Sequence, residues 1–260
     1  MSTSRTLFTV EGAVAFLTFN RPEARNAMTW DMYEALVEAC DRVDQTEAVR
    51  VFVLRAEGKA FIAGTDISQF TRFALRDDAI AYERRIDSVI DRLERVSAAT
   101  IAQVQGVAAG GGCAIALACD LRVCTPDAQF GIPIARTLGN CLSAANYARL
   151  LDMIGPCRVK DLLFTGRLVD ATEAASLGLV TRMADPSAID DAVRDLAATI
   201  AANAPLTIRA TKEAVRRIQA SRRIDASQAD DLIAMCYSSG DFKEGVAAFL
   251  AKRPPLFKGR

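Results

Sequence analysis

Three consecutive glycines, Gly110, Gly111 and Gly112, lie between an apolar strand-like run at residues 100–104 and an apolar segment of helical composition that ends at Asp120, with a turn at Gly106 before them. Glycines at a strand-to-helix junction let a ligand approach the main chain closely. They also let backbone N–H groups turn outward, where the positive end of the helix dipole adds to them. The triplet therefore has two readings, an anion-stabilising device or a tight turn that packs a helix onto a sheet.

The chain has no histidine. That excludes Ser-His and Cys-His nucleophilic catalysis, imidazole acid–base chemistry and histidine-ligated metals together. Chemistry has to come from carboxylates, backbone dipoles, Lys, Arg, Tyr, Cys or water. Seven cysteines at scattered positions without a C-x-x-C pair suit reduced, mostly buried thiols. Lys plus Arg equals 32 and Asp plus Glu equals 32, so no net field favours nucleic acid or an anionic membrane. The opening Met-Ser-Thr-Ser-Arg-Thr lacks a signal-peptide core and no apolar run is long enough to span a bilayer. A cytoplasmic protein is expected.

The elements that must position these groups follow from periodicity. Residues 7–10 and 14–20 read as a hairpin turned at Glu11-Gly12. Thr29 offers an N-cap to a helix running to about Asp44, with Tyr33, Leu36, Val37 and Cys40 on its buried face. Residues 49–56 form a continuous apolar run suited to a strand buried on both faces. A loop at 57–67 leads to a charged helix from about Arg76 to Arg95, striped by Ile86, Val89, Ile90 and Leu93. Residues 121–124 are another strand. This alternation predicts an α/β layout with crossover helices on a mainly parallel sheet. From Ser143 onward the pattern is helical, in segments 143–164, 171–177, 188–203, 205–219, 225–237 and 242–250, with an extended piece at 179–183. This C-terminal region reads as an oligomer interface.

Taken in order, Asn20-Arg21-Pro22…Asn26-Ala27-Met28, Phe61 to Ile67, Gly110-Gly111-Gly112-Cys113…Cys119-Asp120, Phe130…Pro133, Gly178-Leu179-Val180 and Phe249 to Pro254 resemble the crotonase family, also called the enoyl-CoA hydratase/isomerase superfamily. The resemblance covers nearly the whole chain. It implies a repeated β-β-α core, here 1–195, and a C-terminal helical region, 196–260, that assembles a homotrimer or a dimer of trimers. It also implies binding of an acyl-CoA thioester, with no cofactor beyond the coenzyme A of the substrate. Two backbone N–H groups stabilise a thioester enolate in the family; by motif they belong to Thr65 and Gly111. The substrate surface carries over to Arg25, Ala63, Gly64, Asp66, Ile67, Gly110, Ala114, Ile134, Phe249 and Lys252, with Arg25 meeting phosphate and Phe249 and Lys252 reaching the nucleotide.

Hydratases of this family carry two glutamates, at the positions held here by Ala114 and Ile134. Candidate substitutes are Arg136, Thr137, Asn140, Cys141 and Ser143, and Tyr82 or Glu83 on the helix after the 57–67 loop. Asp66 reads as a loop cap and Asp120 as a strand anchor. Three functions compete: a hydratase/isomerase-type enzyme with relocated acid–base groups, an acyl-CoA decarboxylase that needs only enolate stabilisation, and a catalytically silent acyl-CoA-binding protein.

Overall fold

The computed structural model describes residues 4–72 and 76–260; residues 1–3, which open the N-terminal stretch discussed above, lie outside the described part. In chain order the elements are β1 (Thr6–Glu11), β2 (Val14–Phe19), α1 (Trp30–Gln45), β3 (Val51–Ala56), α2 (Arg76–Glu94), β4 (Ala99–Val104), β5 (Val107–Ala109), α3 (Gly111–Ala118), β6 (Leu121–Cys124) and β7 (Gln129–Gly131). There follow α4 (Ile134–Thr137), α5 (Ala144–Thr165), β8 (Val169–Asp170), α6 (Ala171–Ser176), β9 (Arg182–Met183), α7 (Ile189–Ala202), α8 (Pro205–Ala220), α9 (Asp230–Tyr237) and α10 (Gly240–Leu250).

A six-stranded sheet in the order β1-β2-β3-β4-β6-β9 is parallel apart from the β1–β2 hairpin. Its inner strands β2, β3, β4 and β6 are buried on both faces, with side chains alternating between them, while the edge strands β1 and β9 are largely exposed. Phe52 and Leu54 join the larger core with α1, α2 and α3; Val51 and Val53 join a smaller one with Ile189, Val193 and Leu196 of α7. The boundary expected after residue 195 falls inside α7. Among the described residues no helix is long and apolar enough to cross a membrane.

A second, three-stranded sheet, β5-β7-β8, was not anticipated from periodicity. Its strands are too short for an alternating pattern to register. One of them, β5, separates the turn at Gly106 from the glycine triplet, so the triplet follows β5 rather than β4 directly. The single helix expected over 143–164 is broken at Gly155, with φ 74 and ψ 165, because Pro156 cannot donate to the helix and disfavours a helical conformation in the residue before it. The segment expected to be helical from 225 opens as a 3-10 turn, Ala226–Ala229, capped by Asp225. Thr29 holds the N-cap position of α1 without a side-chain cap bond. The first helical N–H, that of Trp30, is instead taken by Gln69 Oε1 at 3.1 Å.

Helix α3 is wedged at both ends. At its C-terminus the buried Arg122 guanidinium donates to the carbonyls of Cys119 at 2.6 Å and Ala116 at 3.3 Å, acceptors that a helix end leaves free, and also to that of Leu179. At its N-terminus a Cβ on Gly112 would stand 2.2 Å from Ile62 O and 2.6 Å from Ile62 Cβ. Gly112→Ala is therefore expected to lower the unfolding free energy by about 3 kcal/mol, the upper end of overpacking costs, read as a fall in the urea midpoint at unchanged m-value.

Candidate active site

The 57–67 loop is pinned from both sides. The buried Asn26 amide donates to the carbonyls of Glu57 and Ala60 at 2.8 and 2.9 Å and accepts Arg21 N at 2.7 Å. Ala63 N donates to Arg25 O at 3.0 Å. On the other side Phe61 N donates to Gln105 O, and Ile62 exchanges bonds with Val107 O and Ala109 N. The Asn20…Met28 motif is thus the buttress of this loop.

Thr65 lies opposite Met28 in an isolated parallel bridge, where Met28 N donates to Gly64 O and Asp66 N donates to Met28 O. Such pairing uses the residues flanking Thr65, so its own N–H faces the other way, towards the start of α3. Gly111 opens that helix, and its N–H is one of the first-turn donors that have no intrahelical acceptor. A Cβ on Gly111 would stand 3.8 Å from Thr65 N, 3.1 Å from Thr65 Oγ1 and 2.7 Å from Tyr33 Oη. A side chain here would displace the Tyr33 and Thr65 hydroxyls. Thr65 Oγ1 is fixed by the hydroxyls of Tyr33 at 2.8 Å and Tyr82 at 3.2 Å. Burial pushes both phenols up, so they stay protonated.

Beside these donors is a cavity of about 140 Å³ whose walls are mostly apolar. Ala63, Gly64, Ile67, Gly110, Ala114, Ile134 and Phe249 line it together with Thr65 and Gly111. Arg25 and Lys252 are exposed outside it, on the side of the Asn26 buttress and at the end of α10. Asp66 points away from the cavity: burial pushes its carboxyl up, but hydrogen bonds from Ser68 and Arg21 outweigh this and hold it below the usual range. It is the expected loop cap. Asp120 anchors β4 through Thr100 N and Oγ1 at 2.7 and 2.9 Å and pairs with Lys212.

Of the candidate substitutes for the missing glutamates, Arg136 is exposed and its stem packs towards Gly166, outside the cavity. Thr137, Asn140 and Cys141 line the cavity. Hydrogen bonding with Cys236 and burial raise the Cys141 thiol, which makes it a poor nucleophile. Ser143 caps α5 and bonds Asp87 at 2.6 Å.

Glu83 is different. Only 6% exposed, it lines the cavity with Tyr82. Burial pushes its carboxyl up to about 8, and the nearby Asp87 adds to this, against the lowering effect of hydrogen bonds from Tyr237 and the Ser143 backbone. Its position was legible in part: Glu83 lies three residues before Ile86 and seven before Ile90, on the apolar stripe of α2. A charged residue in register with a buried stripe is the signal. Tyr237 and Tyr33 were not singled out, because aromatic residues on helices read as ordinary core.

A family model described as enoyl-CoA hydratase/isomerase matches residues 9–260. A short-chain-enoyl-CoA hydratase of Clostridium acetobutylicum is 31% identical over 255 residues, covering 97% of each chain. The crystal structure of an enoyl-CoA hydratase/carnitine racemase from Magnetospirillum magneticum has 32% identity and a TM-score of 0.79 over 100% of this chain and 97% of its own. A methylmalonyl-CoA decarboxylase complexed with 2S-carboxypropyl-CoA has 25% identity and a TM-score of 0.90 over 100% of both chains. Matched along almost its whole length, the chain belongs to the enoyl-CoA hydratase/isomerase family.

Proposed function

We propose that this protein binds an acyl-CoA thioester with the carbonyl oxygen between Thr65 N–H and Gly111 N–H, and that Glu83 moves a single proton to or from the resulting enolate. The observation that carries this reading is the buried Glu83 carboxyl in the wall of the same cavity, with a pKa of about 8. A carboxyl poised near neutrality suits general acid–base work in either direction. Each preorganised N–H aimed at a developing oxyanion contributes on the order of 3 kcal/mol.

One proton-transfer group fits an isomerase better than a hydratase. Addition of water calls for activating the water and protonating Cα at once, and the two positions that would supply those carboxylates hold Ala114 and Ile134. In a double-bond shift one carboxylate takes a proton from one carbon and returns it to another. The decarboxylase reading is the alternative, supported by the likeness to the methylmalonyl-CoA decarboxylase. Loss of CO2 makes the enolate without a base, and protonated Glu83 would then supply the one proton required.

The apolar side chains that α8 leaves exposed, Leu206 at 77%, Val215 at 50% and Ile218 at 54%, support assembly as a homotrimer or a dimer of trimers. Light scattering should give a mass of three or six chains; a monomer alone would overturn the assembly.

Glu83→Gln should reduce exchange of the α-proton of a saturated acyl-CoA in D2O by on the order of 100- to 10,000-fold while leaving acyl-CoA binding in place. Binding without exchange by the unmodified protein would leave only a silent acyl-CoA-binding role or a decarboxylase, and turnover of a malonyl-type thioester would decide between these two. The sign of the pH profile separates the chemistries. An isomerase needs Glu83 ionised, so kcat/KM should rise with pH through about 8; a decarboxylase needs it protonated, so kcat/KM should fall over the same range.

Stability gives a check independent of turnover. The folded-state carboxyl is raised from 4.5 to about 8, so below the lower value both states are protonated and there is no penalty. Between these values the unfolded chain releases its proton first, so native stability falls as pH rises. Glu83→Gln removes this loss. Relative to the unmodified protein, the variant should gain stability from pH 4.5 to 8 and hold it above, by roughly 5 kcal/mol at most, measured by urea unfolding at each pH.

A further inference from the structure

Glu83 is one end of a three-residue chain. Tyr237, the last residue of α9 and 5% exposed, donates its hydroxyl hydrogen to Glu83 Oε1. Asn140, in the turn between α4 and α5, donates from Nδ2 to Tyr237 Oη at 3.0 Å. The Tyr237 ring is clamped by Phe242, with ring centroids 4.7 Å apart, and by Tyr82 at 6.3 Å.

The chain has a direction. A phenol has one proton; once that proton is given to Glu83, its oxygen can only accept, which turns the Asn140 amide with Nδ2 towards Tyr237. Oδ1 is then left on the other side. Among the described residues it is buried and accepts no hydrogen bond, and Asn140 lines the acyl cavity.

The groups acting on Glu83 leave this chain with a large share of the control. From its own helix Tyr82 and Asp87 face it, with Tyr33 from α1, Tyr237 from α9, Cys141 from the turn after α4 and Tyr147 from α5. None of these is a cation. The groups that favour its ionised form are the Tyr237 hydroxyl and the Ser143 backbone.

We propose that Tyr237 and Asn140 are positioning residues for Glu83: Tyr237 holds the carboxyl in place and makes its ionised form accessible, while Asn140 orients the Tyr237 hydroxyl. This rests on the reading of Glu83 as the proton-transfer group. Asn140 acts on Glu83 only through Tyr237, so the two contributions are not additive.

The test is a ¹³C NMR titration of the Glu83 side-chain carboxyl in the full chain, its resonance assigned by its absence in Glu83→Gln. Tyr237→Phe should raise the midpoint from about 8 by about one pH unit or more, since the hydrogen bond lost favours the charged form. Asn140→Leu should raise it by less, and Tyr237→Phe with Asn140→Leu together no further than Tyr237→Phe alone. Replacing Tyr237 by 3-fluorotyrosine, a better donor that keeps the ring, should lower the midpoint; this arm stands even if Tyr237→Phe folds poorly. The pH limb of α-proton exchange should move with the midpoint, with little change in KM. An unmoved midpoint in both Tyr237 variants, or additive shifts in the double variant, would overturn the proposal. Midpoints that move as expected with neither α-proton exchange nor turnover of a malonyl-type thioester would sustain the chain and remove the catalytic role of Glu83 instead.

Discussion

No side chain fits at Gly112 between the loop at Ile62 and the start of α3, where a Cβ would stand 2.2 Å from Ile62 O, and the rest of the site depends on that contact. The N–H of Thr65 and that of Gly111 come from segments far apart in sequence. The two segments meet where the Gly111 backbone lies beside Thr65 and Tyr33 and the Gly112 backbone lies against Ile62, which is what the proposed pairing of the two donors requires. The surrounding structure holds this approach from several directions. Asn26 and Arg21 brace the loop from below, Gln69 ties it to the start of α1, and Arg122 holds the far end of α3. A pair of backbone donors is useful only if both stay aimed at one point with no reorganisation as charge develops. Much of the polar network outside the cavity serves that rigidity.

What was legible in the sequence follows from where the determining forces are local. The run Val51-Phe52-Val53-Leu54 reads as a strand covered on both faces, and its residues do alternate between two cores. The glycine triplet reads as a strand-to-helix junction because no other residue type is indifferent to the backbone geometry needed there. The sheet β5-β7-β8 was not legible: strands of two or three residues gain their stability from neighbours brought by the rest of the fold, not from their own pattern. The break at Gly155-Pro156 was written in the sequence and was overridden by the helical periodicity on either side of it.

The site shows the same division. Thr65, Gly111, Ala63, Ala114, Ile134 and Phe249, which the family resemblance implies as site residues, line one cavity. The partner of Glu83 could not be placed in this way. Tyr237 is separated from Glu83 by 154 positions and meets it only because α9 lies back against α2. Long-range hydrogen bonds between helices leave no periodic trace, and a tyrosine on an amphipathic helix looks like any other core aromatic.

The loss of two glutamates and the burial of a third carboxyl are one arrangement when considered electrostatically. Ala114 and Ile134 line the cavity that holds Glu83. Two unit charges 4 Å apart interact by about 4 kcal/mol at an effective dielectric constant of 20, and the interaction weakens only in proportion to distance. Ionised carboxylates at positions 114 and 134 would therefore drive Glu83, already raised to about 8 by burial, further from neutrality. It would remain protonated throughout the physiological range and be of no use as a base. Apolar residues at both positions remove that repulsion. On this reading the cavity keeps one carboxyl near neutrality, supported by a phenol rather than a cation, and the absence of the other two is a condition of its working rather than a defect.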